Sequence, residues 1–89
     1  MKLYFNDDLI NPQPEEGDVL AAFEHLRVSR EARLELRREE GSSLSVNREG
    51  GLGFLVALQR PDGVFGLCLA EPFAEAVAGA LREYLGARA

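Results

Sequence analysis

The spacing of apolar residues changes at Ala32 and again after Ala70, and those two changes limit the fold more than any other feature of the chain. Before the first, Val19, Leu20, Phe23 and Leu26 recur at the i, i+1, i+4, i+7 spacing of one helical face. From Ala32 the period is two. Ala32, Leu34 and Leu36 alternate with Arg33, Glu35 and Arg37, and Leu44 and Val46 alternate with Ser43, Ser45 and Asn47. A strand with one wet face reads this way. Phe54 to Leu58 and Val64 to Ala70 are apolar on both faces and predict central strands. After Glu71-Pro72 the helical period returns. Phe73, Val77, Ala80, Leu81 and Tyr84 form its buried stripe, and Gly86 fits the position just past a helix end.

Turn chemistry joins these segments. Lys2 to Phe5 is a short first strand, with Leu3 and Phe5 on one side and Tyr4 on the other, and Asn6-Asp7-Asp8 turns the chain after it. Asn11-Pro12-Gln13-Pro14 interrupts regular structure, because each proline disfavours a helical residue before it. The first helix starts near Pro14 or as late as Asp18 and ends between Leu26 and Ser29. Glu40-Gly41-Ser42 and Pro61-Asp62-Gly63 supply further turns. The predicted order is β-α-β-β-β-β-α in a single domain, residues 1–89. An antiparallel sheet of about five strands with both helices on one face makes this an α+β, two-layer fold. The opposite sheet face would contain Leu55, Ala57 and one of Leu67 or Leu69. If bare, it is a surface for a dimer or a partner.

Three glycines fall within four positions in Gly50-Gly51-Leu52-Gly53. Phosphate-binding glycine loops hand their ligand to a helix N-terminus. These glycines lead into the apolar run Phe54 to Leu58, a strand, so the motif reads as a hairpin. Gly50 and Gly51 would take positive φ in its turn, and Gly53 would mark a bulge or a close backbone approach. His25 is the one histidine and reads as a surface residue near a helix C-terminus, where the dipole favours it. Cys68 lies within an apolar strand with no basic neighbour in sequence to activate its thiol, and reads as a small buried hydrophobe. No Cys/His spacing suits zinc, and Asp7-Asp8 with Glu15-Glu16 fits no calcium loop. The expectation is a protein with no catalysis, no cofactor and no metal.

Charge narrows the partners. The formal net charge is −5. A nucleic-acid binder needs a basic stripe to neutralise phosphates. Arg27, Arg30, Arg33, Arg37 and Arg38 are instead interleaved with Glu31, Glu35, Glu39 and Glu40, the pattern of a solvated, self-paired face. Asp7, Asp8, Glu15, Glu16, Asp18 and Glu24 form an acidic segment without a single Lys or Arg. Five of them (Asp7, Asp8, Glu15, Glu16 and Asp18) are the expected partner-binding residues, steering a basic protein. No apolar stretch reaches the roughly 18 residues of a membrane span, and no signal-peptide pattern opens the chain. With a single cysteine, the expected location is the cytoplasm.

One family pattern is present. Pro14-Glu15-Glu16-Gly17-Asp18-Val19-Leu20-Ala21-Ala22-Phe23-Glu24-His25-Leu26, then Leu34-Glu35-Leu36, Leu44-Ser45-Val46 and Gly50-Gly51-Leu52-Gly53-Phe54-Leu55-Val56, resembles the Imm1-type immunity proteins of bacterial polymorphic toxin systems. Ala80-Leu81-Arg82-Glu83-Tyr84-Leu85 is similar to the closing helix of that family. The resemblance implies a small protein that binds and occludes a cognate basic toxin or effector. Two other readings suit the residues: a dimeric secretion chaperone, and a small ligand-binding or enzymatic domain.

Overall fold

The computed structural model describes residues 1–86 of the 89 in the chain. Six strands and two helices follow one another as β1 (Lys2–Phe5), β2 (Asp8–Asn11), α1 (Glu16–Arg27), β3 (Arg33–Arg37), β4 (Ser43–Glu49), β5 (Gly53–Arg60), β6 (Gly63–Ala70) and α2 (Ala74–Gly86). A short 3-10 turn, Glu71–Phe73, links β6 to α2. The strands form one antiparallel sheet in the order β2-β1-β3-β4-β5-β6. The fold is α+β, as the periodicities require, with one strand more than the alternation predicts.

The additional strand is β2. Asn6 and Asp7 both take left-handed backbone conformations, with φ of 51° and 68°. Two successive left-handed residues make the two-residue hairpin turn that matches the twist of a sheet. Asn6 and Asp7 are among the few side chains that tolerate that region. The turn folds β2 back against β1, pairing Phe5 with Asp8 and Tyr4 with Leu9. It is also tied to β3: the Asn6 N–H donates to the Arg33 carbonyl at 2.8 Å, and Asn6 Oδ1 accepts from the Arg33 N–H at 2.9 Å.

The first helix begins at Glu16 because the backbone is capped there. The Asp18 carboxylate accepts the Glu15 N–H at 2.9 Å, and the Glu15 side chain caps the helix in return. Leu3, Leu34, Leu36, Leu44, Val46 and Phe54 pack against Val19, Ala22, Phe23 and Leu26 of α1 and Ala74, Val77, Ala78 and Leu81 of α2 in one core. The rings of Phe23 and Phe54 meet at 5.5 Å. In α2 the buried stripe is Ala74, Val77, Ala78 and Leu81. Phe73 is exposed instead, because it sits in the 3-10 turn before the helix, out of phase with the α-helical face. Gly86 closes α2 as its last residue rather than standing beyond it.

The glycine-rich stretch is the β4–β5 hairpin, with Glu49 opposite Gly53. Gly50 takes positive φ, whereas Gly51 does not. Gly53 is the constrained position. At φ +152°, a Cβ placed there would stand 2.1 Å from the Leu69 carbonyl oxygen. The bare backbone of Gly53 is what allows β5 to begin directly against the end of β6.

The register separates the two faces. Cross-strand partners share a face, so Leu36, Leu44, Leu58 and Phe65 line one row under the helices, and Leu34, Val46, Val56 and Leu67 the next. Leu67 and Leu69 therefore face the helix side, not the opposite face. The outer face holds Glu35, Ser45, Ala57 and Gly66 in one row and Arg33, Asn47, Leu55 and Cys68 in another.

Candidate functional site

β6 lies at the edge of the sheet, not at its centre. Apolar content on both faces ordinarily marks a strand covered from both sides. Here the helix layer reaches β6 only near its end, where Leu69 is partly buried against the core, and leaves the middle of the strand uncovered. Phe65 and Leu67 point to the helix side yet are 62% and 60% exposed, and Val64 on the outer side is exposed as well. Phe73, just beyond the strand, adds a further exposed ring. Cys68 is likewise exposed, and the expectation of a buried thiol fails for the same reason: its strand has a neighbour on one side only.

Nothing blunts this edge. Proteins protect exposed edges with charges, prolines, bulges or short strands. The eight residues of β6, GVFGLCLA, contain no charge and no proline, and they pair with β5 in unbroken register from Gly53–Ala70 to Arg60–Gly63. A shallow apolar hollow of about 290 Å³ between the β4–β5 hairpin and the end of β6 is lined in part by Leu52, Phe54, Cys68 and Leu69.

The C-terminal end of β6 is fastened by charge. Arg48 extends on the helix side beside Phe54, with its guanidinium 4.8 Å from the ring centre, and pairs with Glu71. Arg27 of α1 reaches the same carboxylate at 3.5 Å and Glu24 at 3.1 Å. The hydrogen bond from Arg48 holds the Glu71 carboxyl below its ordinary range, against a smaller opposing effect of burial. A second polar cluster joins the β3–β4 turn to α2. The Arg38 guanidinium donates to the Tyr84 carbonyl at 2.8 Å and lies over its ring, while Ser42 Oγ and the Tyr84 hydroxyl are 2.9 Å apart. On the outer face Glu35 lies between Arg37 at 2.9 Å and Arg33 at 3.7 Å. Within the interleaved segment Arg33 and Arg37 pair with Glu35, which is buried rather than solvated, and Arg38 pairs with Glu40, whereas Arg27 pairs outside the segment with Glu24 and Glu71.

The five acidic residues expected to bind a partner do lie on one side of the molecule, around β2, but in two groups. Asp7 is in the β1–β2 turn and Asp8 opens β2. Glu15, Glu16 and Asp18 surround the start of α1, beyond the far end of that strand. Four residues of strand span about 10 Å, which sets the separation of the groups. Asp18 is occupied locally, accepting from Glu15 N–H and from Asn11 Nδ2, and Glu16 lies 3.8 Å from Arg82. The side chains of Asp7, Asp8 and Glu15 are exposed. His25 makes an edge contact with the Phe5 ring, 5.2 Å between centres. Among the described residues, no group of three His, Cys, Asp or Glu side chains could hold a metal ion, and no helix is long and apolar enough to cross a membrane.

No family model, curated protein or solved structure matches this chain. The geometry of β6 is therefore the strongest pointer to what the molecule does. Sequence reasoning found its apolar character but missed its position. What decides the position is where β1 pairs: it lies beside β3 rather than beside β6, so the last strand of the meander has no neighbour on its far side, and nothing local in the sequence signals that choice.

Proposed function

We propose that this protein works by binding other protein chains, with the free edge of β6 as its docking element. One observation carries the reading: β6 is an eight-residue, uncharged, regularly paired edge strand with Phe65 and Leu67 more than half exposed. Such an edge offers a row of backbone N–H and C=O groups for strand addition and pockets between alternate side chains for specificity. The acidic groups around β2 add long-range attraction for a basic partner, raising its association rate more than its affinity. Together with the Imm1-like sequence pattern, this supports an immunity or inhibitor protein that occludes a basic toxin or effector.

The test is affinity capture in the native host, with tagged and untagged copies co-expressed. Wild type is compared with Phe65→Lys and with a quadruple variant, Asp7→Asn, Asp8→Asn, Glu15→Gln and Glu16→Gln; circular dichroism verifies each fold. A chain retained by wild type and the quadruple variant but lost from Phe65→Lys supports docking on β6. Equal retention by Phe65→Lys overturns it, and loss from the quadruple variant alone moves the site to the acidic side.

A further inference from the structure

Resting on the reading of β6 as a docking edge, we infer that its occupant is a second copy of this chain, paired antiparallel about a two-fold axis through Leu67. Three features of the molecule point to a second copy rather than to an unrelated strand.

The first is the symmetry of the side chains. Phe65, Leu67 and Leu69 all face the helix side, with Leu67 at the midpoint. An axis through Leu67 sets Leu67 against its own copy and Phe65 against Leu69 of the other chain. Exposed Phe65 and Leu67 then meet partly buried Leu69 and the second Leu67, and close a continuous apolar layer beneath the helices of both copies. On the outer face the same register opposes Gly66 to Cys68 and Val64 to Ala70, small against small or medium. An axis through Gly66 keeps the faces aligned but puts Leu69 opposite Gly63, which has no side chain to meet it. An axis between Gly66 and Leu67 opposes residues from different faces, which a flat antiparallel pair does not allow. A closed two-fold interface uses the same patch on both copies, and β6 is complementary to itself in one register.

The second feature is charge. A protein of net charge −5 repels its own copies unless they meet where the charge is absent. β6 contains no charged residue, and Asp7, Asp8, Glu15, Glu16 and Asp18 lie around β2 and the start of α1, at the other edge of the sheet. Of the two carboxylates that flank the strand, Asp62 before it and Glu71 after it, Glu71 is neutralised by Arg48 and Arg27. Joining at β6 places the acidic sides at the two far ends of the assembly, where they repel one another least.

The third is the state of the other edge. β2 has four residues, opens with Asp8, and its pairing with β1 shifts register between Leu3 and Tyr4. These are edge-blunting features. A chain that guards one edge and leaves the longer one open has a use for the open one.

Sedimentation equilibrium on the full chain between about 1 and 100 µM tests the inference, a range that brackets the affinities of modest interfaces. Wild type is expected to be a dimer. Leu67→Lys, which faces two ammonium groups across the axis, is expected to weaken it at least about 100-fold. Leu9→Lys puts the same charge on the β2 edge and should leave the dimer intact. Circular dichroism establishes that each variant is folded. The register has its own readout. A nitroxide on Cys68, opposite Gly66, lies about 8 Å from its symmetry mate by strand spacing, so the dimer's spectrum is dipolar-broadened and that of Leu67→Lys is not. A wild type that stays monomeric overturns the second-copy inference while the capture experiment still decides whether β6 binds another protein. A dimer that survives Leu67→Lys overturns pairing through β6 and again leaves the capture experiment to decide whether β6 binds another protein, and a dimer lost in that variant but without dipolar broadening overturns the register.

Discussion

The two edges of this sheet both expose apolar side chains, Leu9 and Ile10 on β2 and Phe65 and Leu67 on β6, but they contrast in length, charge and regularity of pairing. β2 is short, begins with a carboxylate, is irregularly paired with β1, and has its end tied to the start of α1 through Asn11 and Asp18. β6 is twice as long, uncharged and regular, and it carries exposed Phe65 and Leu67 on the side where β5 carries covered residues. The difference teaches where the helix layer ends. Two helices of 12 and 13 residues can cover only part of a six-stranded sheet. The strand left largely outside that cover, β6, nevertheless has the composition of a covered one.

The largest expected effect comes from the joint that holds β6 in place. Gly53→Ala puts a methyl group into the Leu69 carbonyl and demands a φ of +152° from a residue with a Cβ. Backbone strain and the forced separation of β5 from β6 should together cost about 3 kcal/mol or more in urea denaturation. A loss below about 1 kcal/mol would mean that the end of β6 is held loosely, and the contrast between the edges would weaken.

At the other edge, Asn6→Ala removes a residue suited to left-handed backbone and leaves the Arg33 N–H without its side-chain acceptor. The expected loss is about 2 kcal/mol, from roughly 1 kcal/mol of conformational strain and a similar amount for the hydrogen bond. Hydrogen exchange should speed up in β2 and at Arg33 and stay slow in β5. If protection in β2 is unchanged, the β1–β2 turn is not what sets that edge.

Acid should loosen the end of β6 through Glu71. The Glu71 carboxyl titrates below its ordinary value in the folded protein because Arg48 hydrogen-bonds its charged form. A depressed folded-state value means that its stabilisation is fully present above the ordinary carboxylate range, near pH 4.5, and is lost as pH falls through the lower folded value. Glu71→Gln should therefore be less stable than wild type at neutral pH and lose less stability on acidification from there. Melting curves collected across that window check the sign. An unchanged pH dependence would show that the Arg48–Glu71 pair contributes nothing there.

The smallest effect is expected at Cys68. Exposed on an edge strand, it should react with a thiol reagent in the native protein nearly as fast as in urea. Cys68→Ser should shift stability by less than about 0.5 kcal/mol, as surface changes do. Slow native labelling would mean that the outer face of β6 is covered in solution.

The helices and the strands of the meander were legible because their side chains repeat with the geometry of their own backbone. Val19, Phe23 and Leu26 mark a helix wherever the helix lies, and Leu34, Leu36, Leu44 and Val46 mark half-buried strands in the same way. The turn at Asn6-Asp7 and the tight approach at Gly53 were legible too, since each answers a local stereochemical demand. β2 escaped because Asp8-Leu9-Ile10-Asn11 is too short to show a period, and its strand character comes from pairing with β1.

By itself the sequence determined the α+β class, the antiparallel meander, the single core and the absence of a basic stripe, all of which follow from spacing and charge along the chain. Only the tertiary structure decided which strand stands outermost, which side Leu67 and Leu69 face, that Cys68 is exposed, and that the acidic residues fall into two groups around β2. The physical reason is that a strand's environment is set by its neighbours in the sheet and by the reach of the helices packed on it. An apolar residue has the same local signature whether a helix covers it or nothing does.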